Sequence, residues 1–198
     1  MKKIIICQRL DKLGKFNELR DNLDVRLTKL LFELGYIPIQ IPVNTNNIIN
    51  FINEISPEGI ILSGGGNPRN KDKRYLLEKK LIEISIKKKI PLLGICRGTQ
   101  RINMHFGGKL MKIKDHVRKK HRLLLSNVKK KIEVMSYHEL GFNCKMLGKK
   151  IRSLGTSNDQ IVKYLRHSNY NIVGVMWHPE RNKTIKDFDK KIIKDLFK

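Results

Sequence analysis

The chain has 198 residues, 40% hydrophobic and 30% charged, which fits one compact domain with a buried core and excludes disordered, collagenous and disulfide-scaffold classes. Its formal charge of +24 would suit nucleic acid, an anionic membrane or an anionic small molecule. The lysines are scattered, as in Lys87-Lys88-Lys89, Lys129-Lys130-Lys131 and Lys190-Lys191, with no interleaved aromatic platform and no nucleic-acid module, so they read as a compositional bias over solvated faces and no nucleic-acid partner is expected.

Residues 3–7 predict a short buried strand. Its apolar run breaks at Gln8-Arg9, too early for a signal peptide, and no run in the chain approaches the roughly 20 apolar residues that cross a bilayer. A cytoplasmic protein without a membrane partner is expected. Cys7 closes this strand and reads as a small core residue. A loop is predicted from Gln8 to Asn17, then a helix from about Glu18 to Leu34, where Leu19, Leu23, Leu27, Leu30 and Leu31 recur at helical spacing before Gly35. Tyr36 to Ile41 predicts a second strand and Asn46 to Ile55 a short helix. Gly59 to Ser63 is a buried strand running into Gly64-Gly65-Gly66-Asn67-Pro68, followed by an amphipathic helix over Lys73 to Lys88.

Pro91 to Ile95 is another buried strand, and helical spacing resumes after Cys96 as far as Phe106. Between about 109 and 171 the alternation shortens, as in Lys131 to Met135 and Gln160 to Tyr164, which predicts antiparallel strands. Cys144 lies here without chemical context and is taken as structural. Three widely spaced cysteines make neither a disulfide framework nor a CxxC metal knuckle. Ile172 to Trp177 is a last core strand and Ile185 to Phe197 a closing helix. Apolar strands alternating with amphipathic helices imply a single α/β domain over residues 1–198, three-layered, with a mostly parallel sheet and a small antiparallel excursion.

In such sheets sites form beyond the carboxyl ends of the strands. Three segments leave buried strands with unusual residues: Gly64-Gly65-Gly66, Cys96-Arg97-Gly98 and His178-Pro179-Glu180. Gly94-Ile95-Cys96-Arg97-Gly98 is the thiol counterpart of a G-x-S-x-G nucleophile elbow, with the thiol at a helix N-terminus whose partial positive charge favours thiolate. A cysteine nucleophile needs a base and the base an orienting group, roles that His178 and Glu180 can fill. The backbone N–H groups of Arg97 and Gly65 are the candidate oxyanion donors. No Gly-Lys-Ser/Thr follows the glycines, which excludes a P-loop. His116 and His121 match no zinc spacing and read as part of a solvated loop, so no metal and no cofactor are expected.

The segments Ile61 to Gly66, Pro91 to Gln100, Ser136-Tyr137-His138 and Trp177 to Glu180 together resemble the class I glutamine amidotransferase superfamily, most closely its γ-glutamyl hydrolase branch. The resemblance implies a flavodoxin-like fold, a Cys96–His178–Glu180 triad, a γ-glutamyl-thioester and its hydrolysis. It also implies that Gln100 lies beside the glutamyl group and that the Ser136-Tyr137 backbone holds its α-amino and α-carboxylate ends. Glu139 departs from the glutamine common at that place. The leaving group stays open: ammonia, which a glutaminase subunit would pass to a synthase partner, a polyamine-derived amine, a folate-type glutamyl tail, or a phosphoramidate. The segment Asn17 to Arg26 resembles small amidotransferases of bacterial surface-sugar and capsule gene clusters, which favours an anionic small-molecule substrate met by Arg20, Arg26, Arg69 or Arg97. A synthase partner is allowed but not required.

Overall fold

The computed structural model describes residues 1–126 and 128–198, the side chains of 128–131 excepted; the Lys129-Lys130-Lys131 run therefore lies outside the described side chains. Nine strands form one sheet among the described residues: β1 (Lys2–Cys7), β2 (Tyr36–Ile41), β3 (Gly59–Leu62), β4 (Leu92–Ile95), β5 (Val117–Leu125), β6 (Val128–Tyr137), β7 (Ile151–Thr156), β8 (Val162–His167) and β9 (Ile172–Val175). Their spatial order is β2-β1-β3-β4-β9-β8-β7-β5-β6. Neighbours from β2 to β9 run parallel, and from β9 onward they are antiparallel. The antiparallel segment thus continues the same sheet.

Strand β1 shows why the fold is layered. Alternate side chains of a strand face opposite ways, and here Ile4 and Ile6 join one apolar cluster while Ile5 and Cys7 join the other. The first cluster takes in Leu27, Leu30 and Leu31 of α1 (Val25–Glu33) and Ile192, Ile193 and Leu196 of α5 (Asp187–Leu196). The second takes in α2 (Ile48–Ile55), α3 (Lys73–Lys88) and α4 (Arg97–His105), through residues such as Ile52, Leu81 and Ile102. The result is the expected three-layer α/β fold with parallel strands at its centre. Among the described residues no helix is long and apolar enough to cross a membrane.

The N-terminal third departs from expectation. The predicted loop and the first part of the predicted helix pair instead as an antiparallel hairpin, Arg9–Leu13 with Glu18–Asn22. Gly14 at φ 67° and Asn17 at φ 53° supply the left-handed residues of its turn. Asp24 then starts α1 by accepting from the Arg26 amide at 3.0 Å, and Leu19 is 58% exposed, outside the apolar stripe. Cys7 is fully buried, and burial pushes its thiol up to about 12. Cys144 is exposed.

Candidate active site

Strands β3, β4 and β9 lie side by side in parallel, so the three unusual segments at their carboxyl ends reach one edge of the sheet. Cys96 sits between β4 and α4 at φ 50°, ψ −101°, a left-handed backbone that costs a non-glycine residue about 1–3 kcal/mol. Its amide donates to the Val175 carbonyl at 2.7 Å, and Thr99 Oγ1 braces the turn by donating to the carbonyls of Gly94 and Val175 at 2.9 and 2.7 Å. The flanking glycines are steric necessities. A Cβ on Gly98 would lie 2.1 Å from the Leu62 carbonyl oxygen, and one on Gly94 would lie 2.6 Å from Ile102 and 2.7 Å from backbone of α4.

His178 comes after β9 and faces this thiol. Its Nδ1 is 2.6 Å from Glu180 Oε1, and both side chains are buried. Burial works against the charged ring, but hydrogen bonds with Cys96 and Glu180, and their negative charge, raise His178 to about 9. A carboxylate on Nδ1 leaves Nε2 to face the thiol. Gly64 lies close against the ring, since a Cβ there would lie 2.5 Å from His178 Cε1. The Tyr137 ring meets His178 edge-on at 5.7 Å, with the Arg181 guanidinium 4.5 Å above the tyrosine.

The glycine loop is held from behind. Arg74 of α3 donates to the carbonyls of Ser63, Gly64 and Gly65 at 2.7, 3.1 and 2.8 Å, while Gly65 and Gly66 take φ of 85° and 76°. Among the described residues neither the Gly65 nor the Arg97 amide donates to another backbone group. Arg74 in turn pairs with Glu78 at 3.0 Å, and Arg97 and Arg101 close on the same carboxylate. This buried four-residue cluster fixes α3 to α4.

Gln100 is buried and donates through Nε2 to the Leu140 carbonyl at 2.7 Å, leaving Oε1 as an acceptor. Ser136 bridges to Trp177 just beyond the end of β9. Glu139 faces solvent. Of the four arginines proposed for phosphate, the Arg97 side chain is corrected: it is buried against Glu78. Arg20 pairs with Glu18, Arg69 donates to the Leu110 carbonyl, and Arg26 pairs with Asp24. The cationic groups that do border His178 and Glu180 are Arg9 and Arg181, in a cavity of about 330 Å³ that also includes Gly64 and Gly65. Arg181 was legible as the residue after His-Pro-Glu; Arg9 reaches the site through the unforeseen hairpin.

The expected solvated loop around His116 is also corrected. His116 is buried, and its ring and that of His121 lie with a carboxylate oxygen of Asp159 within 4.8 Å of one another, close enough to share a metal ion. Their nitrogens have other partners: His116 Nε2 meets Asp159 at 2.7 Å, His116 Nδ1 meets Lys163 Nζ at 2.6 Å, and His121 Nε2 meets the Asp115 carbonyl at 3.1 Å. The cluster holds a lysine cation of its own.

A thiol at a strand–helix elbow, an imidazole against it and a carboxylate behind the imidazole define the chemistry available at this sheet edge. The class-I glutamine amidotransferase family model matches residues 17–198, and the chain belongs to that family. It is 36% identical over 147 residues to the γ-glutamyl-CDP-amidate hydrolase of Campylobacter jejuni, covering 71% of this chain and 70% of that one. It is 29% identical over 169 residues to anthranilate synthase component 2 of Azospirillum brasilense, covering 81% and 85%. The fold matches the crystal structure of a candidate GMP synthase component from Thermoplasma acidophilum with a TM-score of 0.72 at 22% identity, covering all of this chain and 92% of that one.

Proposed function

We propose that this chain is a cysteine hydrolase of γ-glutamyl amides, acting in the cytoplasm as a single domain. Cys96 Sγ attacks the γ-carbonyl carbon while His178 takes the thiol proton. The oxyanion is held by the amides of Gly65 and Arg97. His178, kept in its tautomer by Glu180, returns the proton to the departing nitrogen as the C–N bond breaks. Water then attacks the γ-glutamyl-thioester, His178 accepts the water proton, and glutamate leaves as the thiol is restored. Gln100, Ser136 and Tyr137 hold the zwitterionic glutamyl head, which needs donors and acceptors together. The observation that carries this reading is the buried Cys96–His178–Glu180 line, with the ring raised to about 9 by the two flanking groups against the pull of burial.

The substrate is an anionic conjugate of the γ-glutamyl-CDP-amidate kind, cleaved to glutamate and cytidine diphosphoramidate for capsule modification. Two observations support it: the named Campylobacter relative, and the cationic side chains Arg9 and Arg181 around the cavity that reaches His178 and Glu180. Guanidinium matches phosphate oxygens bidentately. The Arg181 side chain is 29% exposed beside this cavity, with its Nε buried 4.0 Å from Asp24, so its exposed part can face a phosphate. A glutaminase that feeds a synthase is the second reading, favoured by the anthranilate synthase relative. The test is glutamate release from γ-glutamyl-CDP-amidate, γ-glutamyl amines and glutamine, with Cys96→Ala as control. Cys96-dependent turnover of the nucleotide conjugate above the others is expected. Preferred cleavage of an amine conjugate would refute the nucleotide assignment, and turnover of glutamine only with an added synthase would favour the second reading.

A further inference from the structure

Lys163 of β8 is fully buried, yet among the described residues no carboxylate touches it. Its three ammonium protons have three acceptors: His116 Nδ1 at 2.6 Å, Ser136 Oγ at 2.7 Å and His138 Nε2 at 3.1 Å. Both rings complete the scheme as neutral tautomers. His138 Nδ1 donates to the Leu140 carbonyl at 2.9 Å, and His116 Nε2 donates to Asp159 Oδ2 at 2.7 Å. Asp159 also accepts from Ser157 at 2.5 Å and is half exposed. A chain of hydrogen bonds therefore runs from a surface carboxylate, through a buried imidazole, to an ammonium beneath Ser136.

We infer that Lys163 is a positioning residue for the γ-glutamyl head, a buried clamp that fixes the Ser136–Tyr137–His138 segment against the end of β9. The inference rests on the proposed γ-glutamyl chemistry. Its geometry is specific to binding: Ser136 bridges to Trp177, Tyr137 packs on the His178 ring, and the Leu140 carbonyl that receives His138 also receives Gln100. One cation thus ties together the three residues assigned to the glutamyl group. Losing it leaves Ser136 Oγ, His116 Nδ1 and His138 Nε2 buried without a donor, and unpaired buried acceptors rearrange.

The clamp is protonation-dependent. The groups facing Lys163 are His116 and His121 from β5 and its approach, His138 beyond β6, Asp159 from the turn before β8, and Cys96 at the start of α4. Burial lowers Lys163 to about 7, while Asp159 and Cys96 pull it up. Burial and Lys163 itself keep His138 well below its usual value; burial also lowers His116. As pH rises through about 7, the unliganded enzyme loses one of the three donors and with it part of its grip on the glutamyl head.

The experiment is inactivation of Cys96 by a diazoketone analogue of glutamine, which carries the glutamyl head, takes up the thiol proton and loses dinitrogen as the C–S bond forms, and needs no partner, set beside alkylation by iodoacetamide, which loses iodide and lacks the glutamyl head. In Lys163→Met the half-saturating concentration of the diazoketone should rise about tenfold or more, with iodoacetamide labelling little changed. In Asp159→Asn, altered only at the half-exposed end, wild-type affinity at low pH should be kept and its decline should begin at lower pH, because a carboxylate that raises Lys163 is gone. An unchanged half-saturation in folded Lys163→Met overturns the inference; if that variant does not fold, an unmoved decline in Asp159→Asn does so. No diazoketone labelling of the wild type would instead refute the γ-glutamyl reading itself.

Discussion

Replacing Glu180 by Gln removes a charge but keeps the shape, and the surroundings of His178 set the consequence. Burial opposes the charged ring, yet the ring rises from 6.5 to about 9 through Cys96 and Glu180, a net preference of about 3 kcal/mol for the charged form. Because the folded value is raised, this stabilisation is fully present below 6.5 and is lost as pH climbs through about 9. A neutral amide keeps a hydrogen bond to Nδ1 but withdraws the charge, so about 1–2 kcal/mol of the preference goes and the ring drops by about one pH unit or more. The assay is kcat/KM for glutamate release across the neutral-to-alkaline range. The wild type should lose activity as pH passes about 9, where the ring can no longer protonate the departing nitrogen. Glu180→Gln should show a lower plateau and the same limb displaced toward neutral pH. A limb that stays in place would refute Glu180 as the group that sustains the imidazolium.

Arg181→Ala should raise KM for a nucleotide conjugate about tenfold, the worth of one charged hydrogen bond, and leave KM for glutamine unchanged; equal effects on both would remove Arg181 from the leaving-group side. Gly98→Ala drives a methyl against the Leu62 carbonyl, at a separation of 2.1 Å for its Cβ. About 1–3 kcal/mol of stability should be lost, along with fast alkylation of Cys96, as read by urea unfolding and thiol labelling; an unperturbed midpoint would mean that α4 shifts freely. Glu78→Gln leaves Arg74, Arg97 and Arg101 around a neutral amide in the core, and about 3–5 kcal/mol should go. A urea midpoint within error of the wild type would show the cluster to be energetically idle.

The elements that position the site were legible because each carries its own local signal. Strands β3, β4 and β9 are short apolar runs, and the elbow needs its two glycines for reasons of contact that the spacing alone already suggests. Legibility failed where the signal was non-local. Leu19 and Leu23 fit a helical stripe, but the turn at Gly14 and Asn17 lets Glu18–Asn22 find Arg9–Leu13 first, and only Leu23 and the later leucines face the core. Arg74 and Glu78 fall at the helical spacing of Leu77, Leu81 and Ile82, so the pattern placed two charges on a buried face; without the facing Arg97 and Arg101 of α4 nothing in the segment explains them. His116 before β5, the Ser136–His138 segment at the end of β6 and Lys163 of β8 meet only in the antiparallel half of the sheet, and no spacing joins these three places.

The central claim is that Cys96, and neither of the other two thiols, carries the γ-glutamyl group. The direct measurement is mass spectrometry of the enzyme quenched in acid during turnover of a γ-glutamyl substrate. A γ-glutamyl adduct on the peptide holding Cys96, kept in Cys144→Ala and absent from Cys96→Ala together with all glutamate release, is the predicted result. An adduct on the exposed Cys144, or glutamate release that survives Cys96→Ala, would contradict it.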